Sequence, residues 1–301
     1  MKNTRVLPET RKFVLKLTFR IVVLLLSALG LEIHAGIQAD NWKENKEVEN
    51  QVIQLYQAGR YHEAIPLAKN ALEITEKTFG PKHPNTAASL SNLAAGYQAI
   101  GQYDKAEPLY QRALAILETI LGPEHPDTAA SVNNLGFLYQ AMGQYDQALP
   151  LLQRALAIRE KVLGPEHPDV AMSLNNLAAL YRDTGQYAKA EPLYQRSLMF
   201  REKSLGPEHP DVATSLNNLA GLYDSQGAYA KAEPLYQRSL KIREKSLGPE
   251  HPNVAQSLEN YAKLLSKTGR AKDAAQLVAR AQTIKGKWEQ ENVARKGKKS
   301  E

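Results

Sequence analysis

The chain has 301 residues, 43% hydrophobic and 23% charged, with no cysteine and a formal charge of +6. The missing cysteine excludes disulfides, thiolate chemistry and cysteine-type zinc sites in one step. The charge sits at the ends, six basic and two acidic residues in 1–39 and six and three in 285–301, so the near-neutral body argues against a nucleic-acid partner. The first element in chain order is a basic segment, Lys2, Arg5, Arg11, Lys12, Lys16 and Arg20, ahead of an uncharged, largely apolar run from Ile21 to Leu31. As a helix that run rises about 16 Å, short of the ~30 Å hydrocarbon core. The pattern predicts a signal peptide in 1–39, cleaved near Ala35 or Ala39, and an exported, periplasmic or secreted protein. The alternative is a membrane-anchored assembly factor, its uncleaved anchor over 13–31 giving membrane association through the N-terminus. Intact mass separates the two, because cleavage removes about 35 to 39 residues. Either way, positive charge ahead of the apolar run places the rest of the chain beyond a membrane.

Residues 40–79 read as a degenerate first unit, because Gly59, Tyr61, Ala64 and Pro66 stand 42 positions before Gly101, Tyr103, Ala106 and Pro108. From there Gly-Pro-(Glu/Lys)-His-Pro recurs at 80, 122, 164, 206 and 248. The units are 80–121, 122–163, 164–205, 206–247 and a last, capping one at 248–285, with 286–301 expected as a basic flexible tail. Within 80–121, Leu90, Leu93, Ala94 and Tyr97 mark one face of a helix A. Gly101 suits its left-handed cap, and Ala106, Leu109, Tyr110, Ala113, Leu114, Leu117 and Leu121 mark a helix B that Gly122-Pro123 ends. His125-Pro126-Asp127 then starts the next helix, with proline where no N–H is needed and an acid at the positive helix end. Pro66, Pro108, Pro150, Pro192 and Pro234 fall inside helix B and predict a local bend or a loosened first turn.

The stretch SLNNLAALYRDTGQYAKAEPLYQRSL at 173–198 resembles the tetratricopeptide repeat. Leu177, Ala178 and Tyr181 fall on helix A, Gly185 and Tyr187 at the turn, and Ala190, Tyr194 and Ser197 on helix B. The 42-residue period and the LGPEHPDVA linker are similar to repeats of kinesin light chains and their bacterial exported relatives, over about residues 47–284. The heptad coiled coil of the motor subunit is missing. The match weakens at both ends, where Ala271 replaces the turn tyrosine and Gln51-Val52 stands for Leu-Ala. The resemblance implies an all-α, right-handed superhelical solenoid of about six helix-turn-helix units. It also implies a non-catalytic scaffold that binds a protein or peptide partner on the concave face lined by helix A.

Against that background, His83, His125, His167, His209 and His251 invite a metal reading. Equivalent residues of stacked units, however, stand at least ~8–10 Å apart, too far for ligands of one ion at ~2 Å each. The His-Pro-Asp tripeptides match the signature of J-domain cochaperones, but their periodic recurrence as helix starts argues for punctuation. No phosphate loop, nucleophile elbow or zinc-protease motif is present, so no enzyme, cofactor, metal or small-molecule substrate is expected. The binding candidates lie opposite the buried stripe: at 100° per residue from Leu90, Asn92 stands at 200°, Ala95 at 140° and Ala99 at 180°. The equivalents form one asparagine per unit, Asn92, Asn134, Asn176, Asn218 and Asn260, joined by Phe137 and Lys263. An amide offers donor and acceptor together, which matches a peptide group of any sequence. The resemblance implies that such asparagines bond a peptide main chain. Selectivity would fall to Phe137, Arg182, Asp183, Asp224, Lys263 and Lys267. The competing reading has the asparagines solvated or bonded to neighbouring units. Sequence-tolerant RNA binding is opposed by the neutral body; salt-sensitive RNA binding would revive it.

Overall fold

The computed structural model describes residues 43 and 45–297, all helix, turn or coil with no strand among them. The predicted signal or anchor in 1–39 lies outside the described residues. Among those described, no helix is long and apolar enough to cross a membrane. The helices are α1 (45–57), α2 Tyr61–Phe79, α3 Pro84–Ala99, α4 Tyr103–Ile120, α5 Pro126–Ala141, α6 Tyr145–Leu163, α7 Pro168–Asp183, α8 Tyr187–Leu205, α9 Pro210–Ser225, α10 Tyr229–Leu247, α11 Pro252–Lys267 and α12 Ala271–Gly297. Helix A starts at 84, 126, 168, 210 and 252 and helix B at 61, 103, 145, 187, 229 and 271, so the 42-residue period of the sequence is the period of the fold.

Contacts divide the chain into two units, residues 1–116 and 117–301, with the boundary inside α4. In the first, α2 packs on α3 around Val52, Ala64, Ile65, Ala68 and Leu93. In the second, α5 to α12 pack in sequence, each helix on the next. Their core repeats as well: Val170, Ala171, Leu174 and Phe200, then Val212, Ala213, Leu216 and Ile242, then Val254, Ala255, Leu258, Ala281 and Ile284. Wholly buried Ala171, Ala178, Ala190 and Ala213 let backbones come close. Ser197 Oγ donates to Ala171 O at 2.7 Å and Ser239 Oγ to Ala213 O at 2.7 Å, which satisfies hydroxyls that burial would otherwise strand.

The punctuation has a chemical basis that the sequence did not disclose. Each repeated histidine is the N-cap of helix A, its Nδ1 accepting from the backbone N–H two residues on: Asn85, Asp127, Asp169, Asp211 and Asn253, at 3.1–3.2 Å. An imidazole thus does the work usually given to serine or aspartate, ahead of a proline at the first helical position. Helix B runs unbroken across each internal proline, so any loosening stops short of a break. α12 continues to Gly297, into the segment expected to be a basic flexible tail. The reason is local, since the Gly-Pro that ends every earlier helix B has no counterpart near 290, where Gln290 stands.

His251 carries a consequence for pH. Burial first, and the Arg243 charge second, hold its pKa below the ordinary 6.5. The unfolded chain therefore binds the proton more readily than the folded one. This contribution to stability is present above about pH 6.5 and is lost as pH falls through the folded value. The urea midpoint of the native chain should drop between about pH 7.5 and about pH 5 by more than that of His251→Asn, which keeps a capping side chain but cannot titrate. Equal drops in the two proteins would contradict this.

Candidate functional site

Helix B carries the charged exterior. Arg154, Arg196, Arg238 and Arg280 each pair with a glutamate of the preceding helix B, Glu118, Glu160, Glu202 and Glu244, at 2.5–2.8 Å. These pairs are about one-third exposed, and each contributes little. Helix A carries amides instead. In the second unit a groove of about 400 Å³ opens on α5, α7, α8 and α9, with Phe137, Asn175, Asn176, Arg182, Tyr194 and Asn218 among its lining.

Five of the residues expected from sequence, Phe137, Asn176, Arg182, Asp183 and Asn218, meet in this groove. Phe137 is 46% exposed, a large apolar face left open to solvent. Asn134, Asn260 and Asp224 are half-buried and Lys263 is exposed, on α5, α11, α9 and α11, outside the groove lining. Asn92 belongs to the first unit, half-buried on α3, and its carbonyl accepts from Tyr56 Oη at 2.7 Å.

The amides form a ladder with a step of 43 residues. Asn176 Nδ2 donates to Asn133 Oδ1 at 3.1 Å, Asn218 to Asn175 at 3.0 Å and Asn260 to Asn217 at 3.1 Å. Bonding to the neighbouring repeat therefore takes one hydrogen of each asparagine. At Asn176 and Asn218 a second N–H and the Oδ1 remain for a ligand, because one amide bond uses only part of the group's capacity. Sequence reasoning picked the donor of each pair and missed the acceptor, Asn133, Asn175 and Asn217. The recurring Asn-Asn dipeptide was the signal that could have found it.

The charges on the same helices are paired by the same step. Asp183 Oδ2 accepts from Gln140 Nε2 at 2.8 Å while its Oδ1 accepts from Arg182 Nε and Nη2 at 3.0 and 2.8 Å. Lys267 Nζ donates to both oxygens of Asp224 at 2.9 Å. Four of the charged residues expected to select ligands, Arg182, Asp183, Asp224 and Lys267, are thus neutralised internally. Burial pushes the Tyr194 phenol up to about 12, opposed by Arg182 and reinforced by Asp183, so at neutral pH it keeps its proton. Among the described residues no group of three or more His, Asp or Glu side chains could hold a metal ion. The arrangement offers hydrogen bonds, an aromatic face and a neutral wall.

No curated protein matches the chain. Among solved structures, the nearly identical TPR-like repeats named for a kinesin light chain of Podosopora anserina are 32% identical. They cover 67% of this chain and 95% of that one, with a TM-score of 0.53. BtubC (BKLC) from P. vanneervenii is 25% identical, with 77% and 90% coverage and a TM-score of 0.58. The tetratricopeptide repeat family model matches 48–119, 90–138, 127–203, 170–245 and 225–287. Proteins of this fold are typically protein-interaction scaffolds. With its helix pairs at a 42-residue period and the family's pattern across nearly all the described residues, the chain belongs to the tetratricopeptide repeat family.

Proposed function

We propose that the chain is a non-catalytic scaffold, exported as its N-terminal sequence suggests, that holds an extended peptide segment of a partner protein against α5, α7 and α9. The observation that carries this reading is the convergence of Asn176, Asn218 and Phe137 on one groove of about 400 Å³. The two asparagines offer spare donor and acceptor capacity to peptide groups of any sequence. Phe137 offers apolar surface, and aromatic anchors of this kind dominate binding energetics. Paired charges leave no reason for a strongly charged ligand.

The reading is tested with a random linear peptide library displayed on phage and selected on the purified chain. Affinity of a selected peptide is then measured by fluorescence anisotropy. Phe137→Ala and the pair Asn176→Ala with Asn218→Ala should each weaken binding at least about tenfold, the factor expected for loss of one good hydrogen bond or an aromatic anchor. Helicity and urea midpoint of each variant identify any loss that comes from unfolding. Unchanged affinity in folded variants would remove the groove from consideration.

A further inference from the structure

The groove has a polar floor left by a broken internal pairing. In the unit of α3 and α4, the hydroxyl of Tyr110 on helix B donates to Gln98 Oε1 on helix A at 3.2 Å. Forty-two residues on, the glutamine is kept as Gln140 but the tyrosine is Leu152; one unit later the tyrosine is kept as Tyr194 but the glutamine is Arg182. Arginine only donates, so it cannot accept the phenol's hydrogen as glutamine does. Each half-pair has therefore lost its partner. Gln140 Oε1 and Tyr194 Oη are both buried without a hydrogen bond, on residues 9% and 0% exposed, and both residues line the groove.

The orientation of these groups is set by chemistry. The Asp183 carboxylate can only accept, so Gln140 must turn its nitrogen to it and its oxygen away. The Tyr194 phenol is protonated and free to donate. One acceptor and one donor thus line a single groove whose neighbouring charges, Arg182 and Asp183, cancel. A carboxylate would meet the Gln140 oxygen and Asp183, and an ammonium would meet Arg182. A primary carboxamide presents an N–H to the first group and a C=O to the second. Groups this deeply buried lie beyond the reach of a main chain held by Asn176 and Asn218 and covered by Phe137, so a ligand would have to engage them with an inserted side chain.

We propose that this floor is a side-chain pocket for a neutral carboxamide, an asparagine or glutamine of the peptide bound in the groove. The inference rests on the peptide-binding reading above.

The test uses the same displayed library. Peptides selected on the native chain should carry asparagine or glutamine at one fixed register. Replacing that residue by aspartate, glutamate or methionine in the synthetic peptide should weaken binding at least about tenfold, the factor one net hydrogen bond of ordinary strength sustains. The preference should disappear on the Gln140→Leu, Tyr194→Phe double variant. It should weaken on Arg182→Gln, which restores to Tyr194 the partner that Tyr110 has in Gln98. The peptide series needs no protein variant, so a poorly folded mutant does not spare the proposal. Peptides that depend on Asn176 and Asn218 but show no amide preference overturn the pocket and leave the groove reading standing. Selection of acidic residues at that register overturns it in favour of an anion site at Arg182. Recovery of no peptide overturns both readings.

Discussion

Replacing Arg159 by alanine should destabilise the chain by about 3 kcal/mol, whereas replacing it by leucine should cost about 1 kcal/mol or less. Arg159 is 2% exposed at the end of α6, and its Nη1 donates to Asp169 O at 3.1 Å and to Ser173 Oγ at 2.8 Å. The guanidinium thereby staples helix B to the next helix A, as Arg201 does to Ser215 and Arg243 to Ser257. Burial lowers the pKa of all three below the ordinary arginine range, which marks the desolvation each carries. Alanine removes the charge-assisted bonds and leaves both a void and a stranded Ser173 hydroxyl. Leucine strands the same hydroxyl but fills the space, and the chain already contains that solution. Forty-two residues earlier Leu117 is buried at the equivalent position, and Ser131, the counterpart of Ser173, is buried without a partner. Urea denaturation followed by helical circular dichroism decides between them. In a one-dimensional array a lost interface also uncouples neighbours, so Arg159→Ala should broaden the transition. Equal costs for alanine and leucine would show that the hydrogen bonds, rather than the filled volume, carry the stability.

Gly206→Ala should cost about 2 kcal/mol through the backbone alone, since its region of conformational space is close to glycine-only. The residue has φ 86° and ψ 155° at the end of α8, and a Cβ there would meet nothing within 4 Å. The cost is therefore free of any packing contribution. Gly206→Asn should fare no better, because asparagine eases the left-handed helical region and this position lies elsewhere. The conformation turns the chain into the cap of α9, where His209 N donates to Gly206 O at 3.3 Å. A shift in that turn displaces α9 against α7 and strains the Asn218–Asn175 bond. A melting temperature of Gly206→Ala within a degree of the native value would refute the argument.

Much of the fold is legible because each unit repeats the same local physics. Histidine-proline opens helix A, glycine closes it, and a second glycine with proline closes helix B, so helix bounds follow from local preferences alone. The small positions Ala94, Ala106 and Ala113 are all wholly buried, as the stripes of helices A and B predict. Where the pattern lapses, the helix runs on: without a second Gly-Pro, α12 continues to Gly297. The site was half legible. Asn176, Asn218, Phe137 and Arg182 come from the face opposite the stripe, which helical geometry alone indicates. The floor residues, Gln140 and Tyr194, were hidden because their significance lies in partners they lack, and a partner 12 residues away on another helix is invisible to a periodicity argument.

By itself the sequence determined the all-α repeat architecture, the helix boundaries set by its repeated His-Pro and Gly-Pro and the face that carries amides, since these depend on backbone preferences and on apolar spacing within a few turns. Only the tertiary structure decided which polar groups are spent and which are free. Arg159, a charged residue of helix B, is core, Asp183 reads as a selective charge and is neutralised, and Asn176, Asn218 and Asn260 each give one hydrogen to the preceding repeat. Hydrogen bonding is a pairwise relation between atoms that stacking brings together, and one helix cannot specify its neighbour's register to a fraction of an ångström.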